Sequence, residues 1–207
     1  MADTPSEQVE AAMRSAWAGG DYEGVTTAAL RRYGPELLGF LVSMHGDHDE
    51  ASEAFSVFSE RLWQSMRRFE WGCSLRAWCY LLARNAAIDV LREGCRGRRV
   101  GLSSAPEVSR LAAEVRTTTM SALRSEKRSA LERLRDGLSE EDRSLLVLRV
   151  DRGLEWREVA LVLSEGSADR NPLHEGEALK RESARLRKRF QVMVERLRAA
   201  AREQKLL

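Results

Sequence analysis

The sequence predicts an all-α fold built as two small helical domains joined by a flexible linker. Ala, Leu, Arg and Glu dominate nearly every segment of the 207 residues, and only 14 Gly and 4 Pro interrupt them. Most of these residue types lose little freedom in a helix. Apolar residues also return at the three- and four-residue spacing of a buried helix face. No alternating β-branched run bounded by turn residues is present, so a sheet has nothing to be made from. With 43% hydrophobic residues the chain can build true cores, and its length suits one ordinary domain or two small ones.

Helical periodicity starts near Val9 and pauses at Gly19-Gly20-Asp21, so residues 1–20 read as an N-terminal extension. It resumes through TTAALRRYGPELLGFLVSM, where Gly34-Pro35 is expected to kink or divide the helix, because proline lacks the N–H that the ladder needs. A second pattern runs from about Asp49 to Met66. The third starts at Ser74, a residue type that caps helix N-termini, and fades at Gly94. Three helices with apolar stripes make one core, residues 21–97. Residues 98–127 are small and polar, broken by Pro106 and short of large apolar side chains; they read as a linker with at most a short helix. Residues 128–207 read as helix, turn, helix, turn, helix, and then a long terminal helix from about Glu177 to Glu203. Within them Ser139, with Asp142 three residues on, can open one helix, and Gly153 marks a turn.

A formal net charge of +2 makes no general case for nucleic acid, but the charge is unevenly placed. Residues 47–60 hold five acids and no Lys or Arg, while 177–198 hold eight bases against three acids. Opposite signs at separate places suggest separate partners, although a single charge run is more often a solvated face. The three cysteines, Cys73, Cys79 and Cys95, are odd in number and lack metal-ligand pair spacing, which indicates neither a disulfide framework nor a zinc site. His45 and His48 beside Asp47 and Asp49 are explained by a polar helix-terminal turn without a metal. The N-terminus lacks the succession of a signal peptide, and no apolar run reaches about 18 residues. A cytoplasmic protein without a membrane partner is the expectation. Catalytic machinery, a phosphate loop and a cofactor motif are all missing from the pattern, so neither an enzyme nor a small-molecule substrate is expected.

Two constellations remain. In RFEWGCSLRAWCYLLARNAAIDVLREGCRGRR, residues 68–99, bases and aromatics interleave. Unpaired nucleic-acid bases can stack on Trp71 or Trp78 while arginines hold the backbone. Core packing is an equally open reading of Trp78, whereas Trp71, beside Gly72, falls in a loop. Wound at 100° per residue, Trp78, Asn85, Asp89 and Arg92 form one stripe beside the apolar face of Leu75, Cys79, Leu82, Ala86 and Val90. On the terminal helix Leu179, Leu186, Phe190, Met193 and Leu197 share one stripe. Arg181, Arg185 and Lys188 lie opposite, flanked by Lys180, Arg187 and Arg189. Such cations can neutralise phosphates, and arginine can offer paired donors to guanine. A short helix, a turn and a basic helix late in a compact unit make a helix-turn-helix arrangement.

These segments resemble a bacterial RNA polymerase sigma factor of the small, two-domain extracytoplasmic-function type. AWAGGDYEGVTTAALRRYGPELLGFLVS is similar to that family's opening helix, and GDHDEASEAFSVFSERLWQSMRRF to its polymerase-binding helix. SLRAWCYLLARNAAIDVLR is similar to its promoter-melting helix, and LSEEDRSLLVLRVDRGLEWREVALVLS to the start of its C-terminal domain. The likeness covers roughly residues 14–97 and 128–200. Two departures stand out: EASEAFSVF replaces a stretch that usually reads Asp-Leu-Val-Gln, and SEGSADRNPLHEGE, residues 164–177, is inserted where the family has a short turn and is read as an outward loop.

The resemblance implies a transcription initiation factor whose partners are core RNA polymerase and promoter DNA, with an anti-sigma factor as a candidate third. Residues 21–97 would be the sigma region 2-like domain and 128–207 the region 4-like helix-turn-helix domain, with the linker passing near the RNA exit path. Asp49, Glu50, Glu53, Arg61 and Trp63 would bind the polymerase. Glu70, Trp71, Ser74, Arg76, Trp78, Asn85 and Arg92 would bind the downstream promoter element, the loop 70–74 capturing a flipped base. Lys180, Arg181, Ser183, Arg185, Arg187 and Lys188 would bind the upstream element. The rival function is a stand-alone helix-turn-helix regulator that binds duplex DNA by itself; it has no need of the constellation from Trp71 to Arg92.

Overall fold

In the computed structural model, residues 5–93, 106–125, 137–164 and 176–203 are described. The fold is all-α, and no strand occurs among the described residues. The chain divides into two compact units, residues 1–121 and 122–207. The expected insertion at 164–177 lies almost wholly outside the described residues, and Cys95 lies wholly outside them.

In the first unit α1 (Pro5–Ala18) ends at Gly19-Gly20, where Gly20 takes a φ of +85° that suits glycine. Asp21 then caps α2 (Tyr22–His45), its carboxylate accepting the Gly24 N–H at 2.8 Å. Gly46, at φ +70°, closes α2 by donating its N–H to the Val42 carbonyl. Asp47 caps α3 (His48–Ser65) by accepting the N–H groups of Asp49 and Glu50 at 2.7 and 2.9 Å. Those two bonds hold its carboxyl below the usual carboxylate range. After a 3₁₀ turn at Met66–Arg68 the chain loops into α4 (Leu75–Glu93). Ser74 caps that helix as expected, its hydroxyl oxygen accepting the Ala77 N–H at 3.1 Å.

Helices α2, α3 and α4 pack on one another around Leu30, Leu37, Phe40, Phe55, Phe58, Leu62, Leu75 and Tyr80, all fully buried. Phe40 meets Tyr80 edge to face with ring centroids 5.4 Å apart. This core explains why α2 runs unbroken through Pro35 rather than dividing there. A proline inside a helix costs about 3 kcal/mol, whereas each large apolar side chain buried returns about 1.5–3 kcal/mol. Leu30, Leu37, Leu38, Phe40 and Leu41 flank the break, each at 0% exposure. Pro35 and Arg31 are exposed, so water can satisfy the carbonyl that loses its partner.

Gly34 has a different use from the expected break. A Cβ there would stand 2.8 Å from Val115, a residue of α5 (Pro106–Ser125). The stretch read as linker thus holds a twenty-residue helix, longer than expected, whose first 16 residues fall in the first unit. Arg116 of α5 donates to the Ser56 hydroxyl at 2.9 Å, and Met120 sulfur lies 3.3 Å from His48 Nδ1. Val108, Leu111, Ala112 and Met120 are buried. Four apolar residues on one face suffice for a docked helix, though too few for a domain.

In the second unit Ser139 caps α6 (Glu140–Leu146), as expected, by accepting the Asp142 N–H at 3.2 Å. The chain then widens into a π turn over Val147–Asp151 and reverses at Gly153, φ +66°. Arg149 ties that turn by donating to the Leu154 carbonyl at 2.7 Å. Next come α7 (Trp156–Leu163) and α8 (Gly176–Glu203), packed through Val159, Leu186 and Met193. Trp156 meets Phe190 edge-on at 5.5 Å.

Candidate nucleic-acid interface

The loop between the 3₁₀ turn and α4 is built on aromatic rings. Phe69, 5% exposed, stacks on Trp78 at a centroid distance of 4.4 Å and 19° between planes, and meets Trp71 at 5.0 Å. Trp71 has a φ of +55° and is the non-glycine residue with positive φ among those described. That conformation is strained for a bulky side chain and costs on the order of 1–3 kcal/mol. Its indole N–H and the Asn85 amide nitrogen are buried without a hydrogen-bond partner among the described residues. A buried orphan donor costs about 1–3 kcal/mol, which makes each a place where an incoming acceptor gains more than it would at a solvated group. Asn85 sits seven residues beyond Trp78 on the same stripe of α4, about 10 Å along the axis.

Other expected contacts of this site take different forms. Trp78 is 7% exposed and covered by Phe69, which decides for core packing over an open stacking face. Arg76 makes a two-pronged bond to Glu36 of α2, 2.8 Å on each prong, and lies 5.8 Å from the Tyr80 ring. It joins helices, a task for which its planar fork is suited. Ser74 spends its hydroxyl oxygen on the cap. Glu70 and Arg92 are exposed.

On α3 the acids lie near the N-terminus, where they favour the helix dipole. Asp49 is exposed, and Glu53 and Trp63 are half-buried. Glu50 faces the buried His45 ring at 3.2 Å, and Arg61 donates to Asp89 of α4 at 2.6 Å. Arg61 and Asp89 therefore close on each other, and Asp89 of the sequence stripe has its partner inside the unit. Glu60 is 7% exposed; burial pushes its carboxyl up, and Gln64 donates to it at 2.8 Å.

Residues 29–96 match the family model of sigma-70 region 2. The match spans α2, α3, the aromatic loop and α4, a third of the chain, and it supports a sigma factor family and with it a role in transcription initiation. Sigma-70 region 2 segments in general bind core RNA polymerase and promoter DNA. No curated protein and no solved structure matches. Helix α1 lies outside the region 2 match, yet it reaches into the aromatic loop: Trp17 is 6.3 Å from Trp71, and the Arg14 guanidinium lies 5.6 Å from the Trp71 ring. Phe69, Glu36 and the contacts of α1 with the loop were not expected from the sequence. Met13 and Trp17, four residues apart in a helical stretch, were the signal that residues 1–20 have a buried face.

In the second unit α8 presents Lys180, Arg181, Arg185, Arg187 and Lys188 as exposed residues. Lys180 pairs with Glu177 at 2.7 Å, and Arg185 grips Glu182 through two bonds of 2.7 and 2.8 Å. Arg187 lies 5.7 Å from the Trp156 ring. Ser183 departs from its expected place: it is 8% exposed, and its hydroxyl bonds the carbonyls of Leu179 and Trp156. It holds α8 against α7 and cannot face a DNA groove. Arg189 likewise ties α8 to α6 through Asp142, Glu141 and Ser139.

None of the described helices is long and apolar enough to cross a membrane.

Proposed function

We propose that the chain is a transcription initiation factor of the extracytoplasmic-function sigma type. It binds core RNA polymerase and directs it to particular promoters. The first unit opens the downstream element and reads one strand; the second is a helix-turn-helix unit that reads the upstream element as duplex. The reading is carried by one observation: a region 2 match holds two orphan donors, the indole N–H of a strained Trp71 in the loop before α4 and the Asn85 amide on α4 itself. Unstacking a base costs a few kcal/mol, and a ring plus unpaired donors can offset that.

The polymerase would dock on Asp49, Glu53 and Trp63, with Glu50 and Arg61 shaping that surface from within their pairs. Duplex contacts would come from Lys180, Arg181, Arg185, Arg187 and Lys188, the acids at 177 and 182 giving way to phosphate. The chain would act in the cytoplasm without cofactor or catalytic step, and binding energy would drive opening. An anti-sigma factor is a candidate regulator.

The test is capture of core RNA polymerase by the full chain, followed by binding to promoter-sized DNA with and without the polymerase. Polymerase capture, with sequence-selective DNA binding only in the complex, is expected. Selective duplex binding by the chain alone, with no capture, would assign it to stand-alone regulators instead.

A further inference from the structure

The aromatic loop is held from outside by one face of α1. Glu10, Arg14 and Trp17 are spaced at four and three residues and so line one side of that helix. Trp17 donates its indole N–H to the Met66 carbonyl at 2.9 Å, just before the loop. The Glu10 carboxylate accepts the N–H of Leu75, just after it. Between these anchors the Trp17 ring meets Trp71 edge-on and the Arg14 guanidinium lies over it. Met13, 5% exposed, roots the helix in the core. One rigid element thus grips both stems of the loop and its tip.

We propose that α1 is a clamp that sets the strand-reading geometry of the loop, with Trp17 and Glu10 as positioning residues. A tryptophan at positive φ returns to an extended backbone unless its surroundings prevent it. The local sequence, Phe69 to Ser74, supplies Phe69 on one side only. Trp17 and Arg14 cover other sides of the ring, and fixing Met66 and Leu75 fixes the span that the loop must bridge. Held in this way, the Trp71 N–H is set in place before a base arrives, and preorganised donors bind more tightly because no ordering remains to be done. The clamp lies outside residues 29–96, so the reading element is larger than the matched segment. This inference rests on the loop being a strand reader.

The experiment uses the full chain bound to core RNA polymerase and a fork-junction DNA. Its single-stranded bases are first selected from a randomised pool by the wild-type complex. Discrimination is the ratio of affinities for the selected strand and for one with those bases replaced. Trp17→Phe, which keeps a ring and loses the donor, and Glu10→Leu should each lower discrimination about five- to tenfold, with polymerase affinity unchanged. Glu10→Gln should restore it, because the amide oxygen can still accept from Leu75. Unchanged discrimination in both variants overturns the clamp, and so does an equal loss of polymerase affinity, which would mark a merely structural role. A wild-type complex that selects no strand refutes strand reading itself. Hydrogen exchange in the free chain then decides the clamp alone: faster exchange at residues 70–75 in Trp17→Phe upholds it, and unchanged exchange rejects it.

Discussion

The aromatic loop with α4 in the first unit and the basic face of α8 in the second are built on opposite principles. Around the loop three of the candidate residues are tied into the fold: Trp78 under Phe69, Arg76 forked onto Glu36, Trp71 strained against α1. Along α8 the candidate cations stand in solvent, and two of them, Lys180 and Arg185, lean on acids of their own helix one turn away. Opening a duplex and holding one base demands a fixed shape, whereas attraction to phosphates demands only charge within reach. The difference teaches that candidate site and stability are fused in the first unit and separable in the second.

Trp78→Ala should give the largest effect. Truncating a ring that is 7% exposed should cost about 3–5 kcal/mol of first-unit stability, seen as a lower urea midpoint. If stability is unchanged and only DNA binding falls, the fusion of fold and site is wrong. Arg76→Ala comes next, because it leaves Glu36, whose side chain is 17% exposed, without its forked partner; a loss of about 1–3 kcal/mol is expected. Arg189→Ala sharpens the contrast from the other side. That arginine links α6 and α8, so it should cost about 1 kcal/mol, more than its neighbours on the same helix. Arg185→Ala and Lys188→Ala should change stability by less than about 0.5 kcal/mol. Each should lower the salt slope of DNA binding by about one, measured from promoter affinity between two salt concentrations.

Tyr33 marks the core side of the same contrast. Burial, and next the Glu10 carboxylate, push its phenol up to about 12, above its usual 10. Below pH 10 the phenol is protonated whether the chain is folded or not. Between pH 10 and about 12 the unfolded chain loses that proton while the folded one keeps it, so stability falls as pH rises through this window. Tyr33→Phe should remove that part of the alkaline loss in denaturation curves taken from pH 9 to 12.

The elements set by local chemistry were legible in the sequence. Ser74 and Ser139 cap the helices they were expected to open, Gly153 makes its turn, and the Gly19-Gly20-Asp21 break separates α1 from α2. What tertiary contacts decide was not legible. Pro35 stays helical because the core on both sides outweighs its local cost. The linker stretch keeps a long helix because Gly34 leaves room for Val115. Within the candidate sites, the structure gives several of the expected contact residues duties inside the fold. Ser183 turned inward because its hydroxyl bonds a carbonyl one turn back and another on α7. The φ of Trp71 and its grip by α1 depend on residues more than fifty positions apart, which no local pattern contains.

The most direct measurement is transcription by core RNA polymerase on genomic fragments, with and without the purified chain, followed by mapping of transcript ends. The account predicts initiation at a small set of discrete positions that share an upstream and a downstream sequence and that vanish when the chain is omitted. Start positions that stay the same with and without the chain would contradict it.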